Sequence, residues 1–267
     1  MRVDLHTHST ASDGQYTPAE LVHLAKRRGL EVMALTDHDS VNGVEEAIAE
    51  GKAVGLRIVQ GVELSADDYL NLHILGYGFS ILAMQGWLDS LRGGRNDRKY
   101  RIRDFLRTKG LEIPLEEVDE AAAGGSIGRP HFAKVMLRHG YVATRKEAFD
   151  LYLDTPEFQE MERGTKPSAE ECVRRIKDAG GKVSLAHPYQ IVLGGDSLEE
   201  LVKRLVGYGL DAVECYYPKH TPEQQAAYLR LTEKYGLHVT GGSDFHGEKN
   251  KPDHPLAALE LDVGWLA

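Results

Sequence analysis

The sequence predicts an α/β fold of the (β/α)-barrel type with a helical insertion in mid-chain. Three observations point to it. One local pattern recurs: a helix opened by a polar cap, closed on glycine and followed by a short apolar strand. About seven such strands can be counted, close to the number in a closed parallel barrel. The pattern breaks once, over roughly residues 81–166, where helical periodicity continues without a convincing strand.

In chain order, the first strand is VDLHTHS. TPAE (17–20) opens a helix that ends at Gly29, followed by EVMALTDH. A weaker start at Asn42 leads to Gly55 and RIVQGVEL. LNLHILGY comes next with no clear helix between, so these two strands are expected to form a hairpin. After the break, SAEE (168–171) opens a helix ending near Gly180, before KVSLAHPY. SLEE (197–200) leads to Gly209 and DAVECYY, and TPEQ (221–224) to Gly236 and HVTGGSDFH. Each S/T-x-x-E/Q can satisfy two orphan backbone donors at a helix start. Proline at the first helical position suits its fixed φ, and a closing glycine supplies the left-handed cap. Strands alternating with such helices imply βαβ units and a mostly parallel sheet. The expected division is a barrel over 1–82 and 166–267, with a helical lid or substrate subdomain over 83–165 planted in a barrel loop.

At 267 residues, 42% hydrophobic and 27% charged, the chain has ample material for a globular core. Its net charge of -9 argues against a general binder of duplex nucleic acid or membranes. No apolar run approaches the length of a membrane span, and the N-terminus enters a strand with no signal-peptide core. The two cysteines, Cys172 and Cys215, fit reduced, buried thiols. A cytoplasmic protein is expected; the oligomeric state is left open.

In a (β/α) barrel the chemistry sits at the strand ends of one face. His6 and His8 lie two apart on one strand, hence on one side of it, with Asp13 just beyond. The second strand ends with Asp37, His38 and Asp39, the third with Glu63. His73 lies in the fourth, His187 ends the fifth, and Asp244 and His246 end the seventh. Each alone has a bland explanation: a core histidine, a turn aspartate, a rim charge. All nine of His6, His8, Asp13, His38, Glu63, His73, His187, Asp244 and His246 at one rim are better explained by a site for two or three divalent ions. A thiolate-free set of imidazoles and carboxylates suits Mn, Fe or Zn. Asp4, Asp37 and Asp39 are candidates for orienting the ligand imidazoles.

With these motifs assembled (HTH at 6–8 with Asp13, TDHD, GVE, His73, AHP and SDFH), the sequence resembles the PHP (polymerase and histidinol phosphatase) family of metal-dependent phosphoesterases. The resemblance spans the whole barrel. It implies a distorted seven-stranded barrel around a trinuclear site. One ion would take His6, His8, Glu63 and Asp244, a second Asp13, His38 and His246, and a third His73 and His187, with Glu63 bridging. Aspartate at position 13, where many relatives have histidine, is similar to the stand-alone nucleotide phosphoesterase branch. That branch removes the 3′-phosphate of nucleoside 3′,5′-bisphosphates, and some members trim short RNA from the 5′ end. The alternatives are a histidinol-phosphate or other small-molecule phosphatase and a non-catalytic metal- or nucleotide-binding module. An amidohydrolase is disfavoured because no strand ends in a metal-bridging lysine.

Phosphoester hydrolysis then needs a nucleophile, expected to be a metal-bridged hydroxide, and charge neutralisation at the phosphoryl oxygens. The basic run LRGGRNDRKYRIRDFLRTKG is a solvated helix face for most of its residues, with Arg95 and Arg98 as candidates to face substrate. Arg129 in GRPH is the first choice for a phosphate fork. His131 and His220 are the candidate proton donors. Phosphorylated small molecules or short oligonucleotides are the expected partners.

Overall fold

The computed structural model describes residues 1–122 and 127–266, with backbone alone over 92–97. Its centre is one eight-stranded sheet: β1 (Arg2–Asp4), β2 (Val32–Leu35), β3 (Arg57–Ser65), β4 (His73–Tyr77), β5 (Lys182–Leu185), β6 (Ala212–Tyr216), β7 (His238–Gly241) and β8 (Leu259–Glu260). The spatial order is β7-β6-β5-β4-β3-β2-β1-β8. Among β1 to β7, only β4 breaks the parallel run, antiparallel to both β3 and β5, so the expected hairpin is present. All seven expected strands form; β8, a two-residue strand antiparallel to the first half of β1, is an addition.

The end of β7 and the segment after it close the ring on the residues that follow β1. Leu5 donates to the Gly241 carbonyl at 3.2 Å, Asp244 to that of His6 at 2.8 Å and His8 to that of Phe245 at 2.9 Å. Gly242 makes this approach possible, because a Cβ there would lie 2.4 Å from the His6 Cβ.

Helices wrap the ring: α1 (Pro18–Arg27), α2 (Val44–Val54), α3 (Ile81–Thr108), α4 (Leu115–Ala122), α5 (Arg129–Arg138), α6 (Arg145–Ala148), α7 (Pro156–Glu162), α8 (Ala169–Asp178), α9 (Leu198–Tyr208) and α10 (Pro222–Tyr235). A π-turn over Phe149–Leu153 follows α6. Capping boxes form at Thr17, Ser197 and Thr221. At Ser168 only half forms: the serine accepts from the Glu171 amide, but the Glu171 carboxylate accepts from the Trp87 indole at 3.3 Å. α2 is capped at Gly43 rather than Asn42, without a side-chain bond.

Strand alternation sorts residues between two layers. In β3, Val59 joins the apolar barrel interior with Val3, Leu5, Val32, Leu75 and Tyr77, while Val62 and Leu64 pack outward with α8 and α9 side chains such as Val173, Ile176 and Leu205. Tyr77 fills the interior and donates to the Leu5 carbonyl at 2.9 Å. Glu63, on the same face as Val59, therefore points inward at the other end of the barrel. His73 starts β4, but β4 runs backwards, so it reaches the rim where the parallel strands finish. Between β4 and α8, helices α3 to α7 build a core of their own around Ile102, Leu106, Phe132, Met136 and Phe158. Among the described residues, no helix is long and apolar enough to cross a membrane.

Candidate metal centre

Glu63 is the hub of the rim, fully buried. Its Oε1 lies 2.7 Å from His73 Nδ1 and 2.8 Å from His187 Nε2. Its Oε2 lies 3.2 Å from Nε2 of both His6 and His8 and 3.1 Å from His38 Nδ1. Asp244 Oδ1 is 3.2 Å from His8 Nε2, and Asp13 Oδ1 is 3.1 Å from His246 Nε2. All nine expected residues thus converge. Ligand atoms come within 4.8 Å of one another in three groups: His6, His8, Glu63 and Asp244; His8, Asp13, His38 and His246; and His38, Glu63 and His73. The first matches the expected set. In the second His8 is shared, and in the third His38 stands where His187 was expected, although His187 still touches Glu63.

The residues present fit cations. His6 Nε2, both ring nitrogens of His8, Glu63 Oε2 and His187 Nδ1 are buried with no hydrogen-bond partner. Such atoms are rare in folded proteins and costly unless something satisfies them. Burial works against the charge of Glu63, yet the surrounding histidines His38, His73 and His6 hold its carboxyl well below the usual range. Asp13 is held down likewise, by His246 and His38, and Asp244 by Lys251 and His246. Burial outweighs the neighbouring carboxylates at His73 and His246 and pushes both down to about 4, whereas Glu214 and Glu63 raise His6, and Asp244 and Glu63 raise His8 to about 9. Two of these residues, His187 and Asp244, sit at positive φ (22° and 53°), a strained backbone of the kind concentrated at functional sites.

The group that orients an imidazole is Glu214. Its Oε1 pairs with His6 Nδ1 at 3.0 Å, which turns His6 Nε2 toward the cluster, and its Oε2 accepts from the His187 amide at 2.7 Å. The expectation for Asp4, Asp37 and Asp39 changes. Asp4 accepts from Ser243 and from the His6 amide, Asp37 from Ser9 and Ser12, and Asp39 from Ser65. These bonds fasten loop backbone. On the far side of Asp244, Oδ2 accepts from Tyr217 at 2.8 Å and from Lys251 at 2.6 Å, and Tyr217 also meets His254 Nε2 at 3.0 Å.

Two cavities open on the cluster. One of about 300 Å³ is lined by His38, His73, Arg98, Arg129 and Lys166, and one of about 610 Å³ by Thr10, Gln15, Lys134, Arg145 and Lys249. They share Asp13, His246, His131 and Lys251. Arg129 pairs with Asp154 and donates to Asn71 Oδ1 at 3.0 Å. Arg98 grips both oxygens of Glu162. The side chain of Arg95 lies outside the described residues. His131 Nδ1 accepts from the Gly128 amide at 3.0 Å, so Nε2 carries its proton, and burial keeps the ring's pKa low. His220, expected near the leaving group, lines neither cavity. Its Nδ1 meets the Cys215 carbonyl at 2.9 Å, and its ring packs against Tyr217 and Tyr228. Lys166, Lys251, Lys134 and the orienting role of Glu214 were not read from the sequence. Lys166 and Lys251 stand in irregular segments without motif or period, and the Glu214 partner lies 208 residues away.

A barrel that gathers imidazoles and carboxylates at one rim, beneath a helical insertion that turns Arg98, Arg129 and Lys134 toward the cavities, defines a metal-dependent hydrolase of anionic substrates. The chain belongs to the PHP domain family, which matches residues 4–182. It is 33% identical over 250 residues to a 5′-3′ exoribonuclease of Haemophilus influenzae, covering 92% of this chain and 90% of that one. It is 31% identical to a 3′,5′-nucleoside bisphosphate phosphatase of Chromobacterium violaceum (91% and 87% covered) and to a phosphoribosyl 1,2-cyclic phosphate 1,2-diphosphodiesterase of Eggerthella lenta (94% and 96%). A crystal structure from Bifidobacterium adolescentis, described as a metal-dependent phosphoesterase, superposes with a TM-score of 0.83 at 29% identity, covering 97% of this chain and 91% of that one. The protein is a phosphoesterase of this metal-dependent class.

Proposed function

We propose that the enzyme hydrolyses the 3′-phosphate ester of a nucleoside 3′,5′-bisphosphate, with two or three divalent ions at the rim cluster. Manganese is our first choice, with iron and zinc compatible with the same ligands. Short 5′-phosphorylated RNA, which offers an ester at the same 3′ oxygen, is the second substrate class. The observation that carries this reading is the set of buried, partnerless imidazole and carboxylate atoms beside two cation-walled cavities.

His6, His8, Glu63 and Asp244 would hold one ion, Asp13, His38 and His246 a second, and His73 and His187 a third, with Glu63 shared. When bound, the ions lower the pKa of water and neutralise charge on the phosphoryl oxygens. The remaining work belongs to side chains. Water adds to phosphorus, the P–O3′ bond breaks, and the leaving oxygen takes a proton. That proton comes from the attacking water, and His131, neutral and protonated on Nε2, is the group we assign to donate a hydrogen bond to the leaving oxygen. Arg129 offers its fork to nonbridging oxygens, aimed by Asp154 and Asn71, and Lys166 adds charge on the same wall. The free, buried thiols of Cys172 and Cys215 support a cytoplasmic setting.

The test is product analysis with Mn-loaded and chelated protein on adenosine 3′,5′-bisphosphate, AMP, histidinol phosphate and a short 5′-phosphorylated RNA. Chelator-sensitive release of the 3′-phosphate supports the reading. Turnover of histidinol phosphate alone replaces it with the small-molecule alternative.

A further inference from the structure

Of the strands β1 to β7, β6 alone brings no candidate ligand to the rim, and a fault in its pairing gives it a different task. Along an unbroken strand Glu214 and Tyr216 would share one face, with Cys215 and Tyr217 on the other. The register against β7 slips here: Glu214 lies opposite Thr240 and Tyr216 opposite Gly241, so Cys215 is the extra residue of a bulge. Cys215 and Tyr216 both pack with the outer layer, and Tyr217 returns to the rim beside Asp244. A bulge next to a functional site re-aims a side chain in this way.

The phenol so aimed is buried and has one proton, which goes to Asp244 Oδ2 at 2.8 Å because a carboxylate only accepts. Gln190 Nε2 donates to the phenol oxygen at 2.7 Å. With the proton committed to Asp244, His254 Nε2, at 3.0 Å, donates as well, which leaves its Nδ1 as the buried atom without a hydrogen-bond partner. Two donors into one oxygen polarise the O–H that faces Asp244. Lys251 Nζ lies 2.6 Å from the same Oδ2. Oδ2 is thereby occupied, and Oδ1 is left facing His8 Nε2 at 3.2 Å and His6 Nε2 at 3.7 Å.

We propose that Tyr217 is a positioning residue of the metal centre: its hydroxyl, fixed by Gln190 and His254, turns Asp244 so that Oδ1 alone is offered to an ion beside His6 and His8. The proposal rests on the reading of the rim as a metal centre and adds a group outside the ligand set. Glu214 and Tyr217, on either side of the bulge, then serve the same ion, one through His6 and the other through Asp244. The charge of Asp244 does not depend on the phenol, since Lys251 answers it. What Tyr217 adds is direction, at a backbone position whose φ of 53° has to be held in place.

The experiment measures Mn bound per chain against a graded chelator in wild type, Tyr217→Phe, His254→Leu and His254→Gln, with thermal melts of each in excess chelator. Tyr217→Phe removes one oxygen and should weaken binding of one ion about 10- to 100-fold. His254→Leu, which takes away one of the two donors behind the phenol, should weaken it less. His254→Gln, which restores an N–H, should recover wild-type affinity. Tyr217 lines neither cavity, so at saturating Mn the loss in Tyr217→Phe should appear in kcat with KM held. Equal affinity in wild type and Tyr217→Phe overturns the proposal. So does a fall in affinity that follows a fall in the metal-free melt and that His254→Gln shares in full with His254→Leu, the mark of a structural role alone. A wild type that binds no ion overturns the reading of the rim as a metal centre, and the proposal with it.

Discussion

Lys166 carries a charge that its surroundings do not favour, and removing it should make the protein more stable and a poorer enzyme. Burial, then the nearby Arg98 and Arg129, push its pKa down from 10.5 to about 8; Glu162, 3.9 Å away, only partly offsets them. Its side chain is 16% exposed, so solvent screens it little. A shift of that size corresponds to about 3 kcal/mol of destabilisation when the lysine is charged. The folded state binds this proton less well than the unfolded chain does. The penalty is therefore complete below pH 8 and fades as pH rises toward 10.5. Lys166→Met leaves no stranded partner, since Glu162 keeps its three bonds to Arg98. At pH 7, in chelator, the variant should gain about 1–3 kcal/mol, or about 2–6 °C in Tm for a chain of this length. At pH 10 most of that gap should close. Loss of a charged contact to phosphate should raise KM about ten- to a hundredfold. Thermal melts of both proteins at pH 7 and 10, with steady-state kinetics at pH 7, check this. A variant that melts lower, or a gap of constant size across pH, would refute a strained charge at Lys166.

The orienting role of Glu214 predicts that Glu214→Gln, which leaves one acceptor oxygen for the two N–H groups of His6 and His187, lowers metal affinity about 10- to 100-fold; chelator competition followed by metal analysis reads it. Asp13→Ala and His187→Ala should each reduce bound metal per chain and turnover together, and full metal content with full turnover in either would remove that residue from the ligand set.

The rim was legible because its signals are local. His6 and His8 share a strand face, and the other expected ligands stand at or just beyond strand termini that polar caps and glycines punctuate, so period and position coincide. His73 was placed in the strand expected to form a hairpin with β3, and the reversal that a hairpin imposes brings the first residue of β4 to the rim. β8 was invisible, since two residues carry no period and their pairing with β1 is tertiary. The basic run misled in its emphasis. Lys99 is taken by Asp119, Arg103 by Asp104 and Lys109 by Glu157, all within the insertion, while Arg98, which does reach a cavity wall, is held by Glu162. Charge counted along a helix does not reveal which cations have been neutralised by carboxylates distant in sequence, and that neutralisation decides where an anion can sit.

The same distinction separates the duties of the two parts of the molecule. Every candidate ligand comes from the barrel, where backbone pairing and buried aspartates such as Asp4 and Asp37 fasten the loops that carry them. Arg129, His131, Lys134 and Arg145 come instead from helices that pack around their own core. These helices meet the rim through polar joints, Arg129 on Asn71 and Arg145 on Asn250. A joint of that kind can be altered without unpacking either core, because replacing one polar pair changes no buried apolar area. Substrate choice can therefore drift in the insertion while the metal chemistry stays fixed. Relatives about 31–33% identical over nearly the whole chain carry names that record a bisphosphate, an RNA chain and a cyclic phosphate. On this account substitutions at Lys134 on α5 or Arg145 on α6 should change substrate preference and leave bound metal unchanged.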